Sequence, residues 1–494
     1  MRFAYGLLFL PPLGALFWAF AKSFSSVYLK SPAYLKAFLN TLILSLGATS
    51  LAILVSLPLA ILLAKTRFPL ARLWGAFLIV PLLFLPYQTA LAWSFIIPQD
   101  FLKLFFSFWG VIFVFTLCFF PLVFWPLYLA FINVPKEAEE SALLLKPPLR
   151  VFATITLPYV KPYLLGGAGL CFIFCFTEVS VPTYLGVPVI GTEILARFAA
   201  FYDLKGALNL SLPLLFIGLL LFFLERPLLH RWEIPSSWTS SKGLHLENKV
   251  FLAIGALFLF CILAVAVFLP LFLLFLKSAS VDWRFIFEKA RLPLLRTLSY
   301  ALLGALGAGV ITLLAQLLLG EKERNFWETL GLLAFFLPPV VLAVGLIYFW
   351  QGFPPVYHSS LLLIFGFLCR FAFLVQRVLG EAWRRFNKEE LEAAYLVGKG
   401  FRALLLRIIF PPLRPWFGLS LALFFVFAAN EIILSSLLYP PGGATLAVTI
   451  YTLSVNNPLA VSAGLCLLNT ISIFAVASLL LFLCRPRFYG SSIT

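Results

Sequence analysis

Residues 386–415 read FNKEELEAAYLVGKGFRALLLRIIFPPLRP. Asn387 is placed to cap a helix with Glu390 three residues on, acidic residues fill the first turn where the dipole favours them, and Gly398 and Gly400 end or bend it. The pattern predicts a short polar helix of about three turns, and the chain on either side of the stretch is almost wholly apolar. A second segment of the same design, VPKEAEESALLLKPPLRVFATITLPYVKP, occupies residues 134–162. There Pro135 suits a first helical turn, Glu137, Glu139 and Glu140 follow, and Pro147-Pro148 stop the helix.

The two segments belong to an internal repeat. Glu140 returns as Glu392 and Leu85-Pro86 as Leu337-Pro338, both at an offset of 252; Leu157-Pro158 returns as Phe410-Pro411 and Phe176-Thr177-Glu178 as Ala429-Asn430-Glu431, both at 253. Low-complexity likeness between two Leu- and Phe-rich halves does not explain charged residues that fall in register.

Outward from these loops lie the apolar runs. A hydrocarbon core of about 30 Å takes about 20 helical residues to cross. Runs of that order occur near 5–22, 38–64, 69–97, 105–132, 163–185 and 207–224, and again near 250–276, 293–319, 327–350, 359–380, 416–438 and 458–484. The expectation is an all-α polytopic membrane protein with about 12 transmembrane helices, arranged as two six-helix repeats. An even number of spans per half makes the repeats parallel. The first unit is residues 1–224 with its loop at 134–162, the second is 250–494 with its loop at 386–415, and the polar stretch 225–249 links them. Lys and Arg concentrate in the segments that lie on one side if both termini are cytoplasmic, which favours that orientation.

Composition agrees. Of 494 residues, 62% are hydrophobic and only 11% charged, and the mean hydropathy is +1.04. Soluble domains carry about 25% charged residues, so the main solvent is the bilayer. The net charge of +16 reads as topology and contact with anionic lipid, not as a nucleic-acid surface. Seven cysteines without a CxxC pair and three scattered histidines offer no metal site or disulfide framework. Neither HExxH nor a Walker GxxxxGK[ST] occurs, so the chain is not expected to bind nucleotide or catalyse covalent chemistry.

Charges inside apolar runs are the remaining candidates. Glu178, Glu431 and Arg370 fall within spans, where a charge costs about 2.5–3.5 kcal/mol on insertion scales, so each must face protein or water. Glu178 and Asn430-Glu431 are repeat mates and Arg370 is a candidate ion-pair partner. The four form a candidate translocation path. The alternative for the two glutamates is that each accepts backbone hydrogen bonds where its helix breaks.

At the polar loops the chain resembles the membrane-spanning permeases of bacterial ATP-binding-cassette importers. Their signature is Glu-Ala-Ala, three residues, Gly, nine residues, Ile, one residue, Leu-Pro. Residues Glu392-Ala393-Ala394, Gly398, Ile408 and Phe410-Pro411 match every spacing, with Phe in place of Leu. The first copy has Glu140-Ser141-Ala142, Lys146 in place of Gly, and Leu157-Pro158 one residue early. The resemblance implies that Glu139, Glu140, Ala142, Glu392, Ala393, Ala394 and Gly398 couple the membrane spans to two copies of a separate ATPase subunit, which holds the ATP. It implies an extracytoplasmic solute-binding protein, a bacterial inner-membrane location, and import by alternating access. Two fused permease units look like iron(III) importers, with thiamine, phosphonate and polyamine permeases as alternatives. A twelve-span ion-coupled secondary transporter is the rival class; it gives no reason for two matched Glu-rich helices.

Overall fold

The computed structural model describes residues 2–23, 31–201, 203–229, 249–386, 405–456 and 458–485. Among them the regular structure is helical throughout, as expected of a chain whose backbone must satisfy its own hydrogen bonds in hydrocarbon. The first half runs α1 (Arg2–Ser23), α2 (Pro32–Lys65), α3 (Ala71–Phe77), α4 (Pro86–Ser94), α5 (Gln99–Phe105), α6 (Phe108–Asn133), α7 (Lys136–Leu143), α8 (Pro148–Val151), α9 (Leu157–Thr177), α10 (Ser180–Tyr184), α11 (Ile190–Ala199) and α12 (Leu204–Leu229). The second runs α13 (Lys249–Leu263), α14 (Leu269–Ser278), α15 (Trp283–Leu318), α16 (Glu321–Phe336), α17 (Pro339–Trp350), α18 (Pro354–Tyr357), α19 (Ser360–Arg384), α20 (Phe410–Ala429), α21 (Ile433–Leu438), α22 (Leu446–Asn456) and α23 (Leu459–Leu483).

Among the described residues, nine helices are long and apolar enough to cross a membrane, and eleven spans result if each of two bent helix pairs counts as one. The first apolar run forms the 22-residue α1. Both bends sit where the sequence repeats Leu-Pro: 89° between Ala71–Leu83 and α4, and 113° between α16 and α17. Proline excludes the preceding residue from helical backbone, and Leu85 and Leu337 are accordingly extended, at ψ 131° and 137°.

The repeat is visible down to single bonds. Ser107 caps α6 by accepting from the N–H of Trp109, and Ser359 caps α19 by accepting from that of Leu361. The Thr41 hydroxyl accepts from the N–H of Ile190, and the Thr297 hydroxyl from that of Leu446. Gly186 and Gly442 both turn the chain with φ near +72°, a left-handed backbone open to glycine without strain. Each half enters its fifth span through a five-residue π-helical turn, Phe152–Thr156 and Leu405–Ile409. Pro158 and Pro411 stand one residue beyond these turns, and each lacks the N–H that would close the ordinary helical bond.

Two compact units divide the chain, and they are not its sequence halves. One comprises residues 1–19, 289–449 and 468–494; the other comprises 20–288 and 450–467. The first helix of each half therefore belongs to the unit built on the other half. In the first unit the Tyr5 ring stacks on Trp327 at 5.5 Å and the Cys369 thiol reaches the carbonyl of Leu8. In the other, Trp74 meets Phe260 edge-on at 5.0 Å.

Each unit is centred on its fourth span. The apolar stretch of α6 is 78% buried against 44% for α2, and that of α19 is 67% buried. Between membrane helices close packing replaces the hydrophobic effect, so small residues line the contacts. Ala48, Ala52 and Ala60 of α2 are fully buried, and a Cβ at Gly167 of α9 would stand 3.0 Å from the carbonyl oxygen of Leu122 in α6.

Candidate functional site

The loop between α6 and α9 forms the short polar helix that the sequence predicts. Pro135 precedes α7, and Glu137 and Glu139 occupy its first turn. The two neighbouring glutamates then part company. Glu140 is half-exposed, with Lys136 one turn back at 3.5 Å. Glu139 is fully buried, and its two carboxylate oxygens accept from Nζ of Lys65 at 3.0 and 2.8 Å. The Thr156 hydroxyl donates to Glu139 Oε1 at 2.7 Å. Lys65, at the last turn of α2, is only 1% exposed.

This cluster joins three elements: the foot of α2, the first turn of α7, and the last residue of the π-turn before α9. Breaking a buried pair by removing one partner is costly because a charge is left behind in low dielectric. Neither Lys65 nor Thr156 is a candidate from the sequence alone. Glu139 is 74 residues from Lys65 in sequence, and no local pattern reports a pairing at that distance.

Beyond α7 the loop turns its apolar residues outward. Leu144, Leu145 and Leu149 are 87%, 86% and 84% exposed, beside exposed Lys146 and Arg150. Ala142 is half-buried on the same helix. The three leucines therefore contribute little to the core and stand together on the surface of one segment between spans. The corresponding residues of the second loop, Glu392, Ala393, Ala394 and Gly398, lie outside the described residues.

The charges within the spans are also in place. Arg370 in α19 is 5% exposed; its Nη1 donates to the carbonyl of Leu337, at the break between α16 and α17, at 3.3 Å. Its Nε lies 3.4 Å from Glu431 Oε2. Glu431 follows the end of α20, and its other oxygen accepts from the N–H of Leu434 at 3.2 Å. Beside it, the Asn430 amide oxygen accepts from Asn469 at 3.2 Å. Three of the four expected path residues therefore meet in one cluster. It stitches two broken spans together where backbone groups are freed.

Glu178, in the other unit, stands after the end of α9 and accepts from the N–H of Ser180 at 2.8 Å and from the Ser180 hydroxyl. Both glutamates thus accept backbone hydrogen bonds at helix breaks. At the repeat offset of 252, the position of Arg370 is held by Cys118 in the first half. The two membrane carboxylates consequently sit in different electrostatic settings.

These features define an all-α polytopic membrane protein with an internal repeat, in which a short polar helix between spans is anchored to them by a buried ion pair. No family model matches the chain. It is similar to 2-aminoethylphosphonate transport system permease proteins named PhnU: 28% identical over 182 residues to that of Salmonella choleraesuis strain SC-B67, covering 33% of this chain and 63% of the relative. The protein of the same name from Salmonella typhimurium strain LT2 gives the same identity and coverage, and that from Salmonella typhi is 27% identical over 182 residues. The match thus spans less than two thirds of the length of these relatives.

Proposed function

We propose that the chain is the membrane-spanning permease of an ATP-driven importer, two permease units in one polypeptide, moving a small organophosphonate into the cytoplasm by alternating access. The observation that carries this reading is the first loop. An eight-residue helix is anchored by a buried ion pair, and the residues that follow it expose three leucines, as a docking element for a partner requires.

In this reading, two copies of an ATP-binding-cassette subunit seat on the two loops, and ATP is bound there and not on this chain. Closure of the ATPase pair pushes the loops, and the push reaches the spans through the foot of α2 and the start of α9. The solute arrives on an extracytoplasmic binding protein. Both termini are cytoplasmic, in a bacterial inner membrane. The chain itself acts as a permease and not as an enzyme.

The solute assignment changes from the one the sequence favoured. The relatives are named for 2-aminoethylphosphonate, which supports the phosphonate alternative over iron(III). A growth test decides: a strain lacking this chain loses growth on 2-aminoethylphosphonate as sole phosphorus source and keeps growth on inorganic phosphate. Normal growth on the phosphonate, with impaired iron(III) uptake, overturns the assignment in favour of iron.

A further inference from the structure

The Lys65, Glu139 and Thr156 cluster is more than a fold anchor, because of what it connects. An isolated eight-residue helix does not hold its shape in water. A push delivered at Leu144 and Leu145 would be absorbed by unwinding α7 unless the helix were fastened beyond its own ends. The fastening is the ion pair to Lys65, 2.8 Å at its shorter contact, and the Thr156 hydrogen bond at 2.7 Å. One leads into a span of 34 residues, the other into α9 through a π-turn. Such turns mark places where a helix is locally re-registered, frequently at functional sites.

At the repeat positions the second half carries other residues. The last turn of α15, the repeat mate of α2, contains no basic residue, and the residue at the repeat position of Glu139 is Leu391. The foot of α15 is instead closed by Arg324, which donates to the carbonyls of Gln316 and Leu319. The loop with the lock is also the one with Lys146 where the second has Gly398.

We propose that Lys65, Glu139 and Thr156 are positioning residues that make α7, the foot of α2 and the start of α9 move as one body, a set of residues that the repeat positions of the second half, Leu317, Leu391 and Ile409, do not carry. The proposal rests on the permease reading above.

Its test is the ratio of solute moved to ATP hydrolysed, measured with the whole complex in liposomes and 2-aminoethylphosphonate as the solute. The double variant Lys65→Met/Glu139→Leu replaces the pair with apolar side chains and leaves no orphaned charge. It is expected to retain its ATPase subunits and hydrolyse ATP, while solute per ATP falls about fivefold or more, the low end of energetic coupling between sites. Thr156→Val, which removes one hydrogen bond, is expected to lower the ratio about threefold. A purely structural role would change protein level and leave the ratio intact. Wild-type ratios in both variants overturn the proposal, and Thr156→Val decides alone if the double variant does not accumulate. A wild-type chain that neither holds an ATPase nor imports refutes the permease reading instead, so the two failures are distinguishable.

Discussion

Glu139 binds Lys65 through both carboxylate oxygens, with the two side chains 0% and 1% exposed. A helix outside the apolar spans is thereby held to one of them by a charge pair shielded from water and salt. Such a pair persists at ionic strengths that weaken surface bridges.

Removing one partner is therefore predicted to cost more than removing both. Lys65→Met is expected to destabilise by about 3–5 kcal/mol by stranding Glu139 in the interior. Lys65→Met/Glu139→Leu recovers most of that loss. Unfolding in detergent, followed by proteolysis within 134–162, measures the difference.

In the permease reading the exposed leucines carry the contact with the partner and little of the fold. Leu144→Ser/Leu145→Ser/Leu149→Ser is expected to leave membrane levels and unfolding unchanged, because all three side chains are already exposed and pack against little of the fold. Co-purification of the ATPase subunit is expected to fall about tenfold or more, as for loss of interface anchors.

The Arg370 and Glu431 pair predicts a different pattern from Glu178. Glu431→Gln weakens the ion pair at 3.4 Å, and a double-mutant cycle with Arg370→Leu should return a coupling of about 0.5–3 kcal/mol. Glu178→Gln keeps an oxygen that can accept from Ser180 and should preserve protein level. If uptake nonetheless falls in Glu178→Gln, that carboxylate has a role in transport beyond capping.

Gly442 adopts φ +73° with no neighbouring atom where a Cβ would stand, so its substitution isolates backbone strain. Gly442→Ala is expected to cost about 1–2 kcal/mol, and Gly186→Ala about the same at φ +72°. Unfolding of the two single variants checks the match.

Much of this architecture was legible in one dimension because its signals are local or periodic. Spans follow from run length, and the repeat from Glu140 and Glu392 in register. The burial of Glu139 was not legible, since adjacent acids in a first turn look alike until the foot of α2 is placed beside one of them. Nor was the membership of α1 in the unit containing residues 289–449. Lipid-exposed helices share one apolar character, and nothing in Arg2–Ser23 names the bundle it joins. The Arg370 and Glu431 pair was half legible: a buried arginine demands a carboxylate, and its choice depends on how α19 and α20 pack.

The central claim is that this chain is driven by ATPase subunits docked on its loops. A pull-down of the tagged chain from native membranes in mild detergent, with partners counted by mass spectrometry, tests it most directly. The account predicts a P-loop ATPase at two copies per chain, lost in the triple leucine variant. Recovery of the chain alone in several gentle detergents, with solute uptake that follows an ion gradient and ignores ATP, would contradict it.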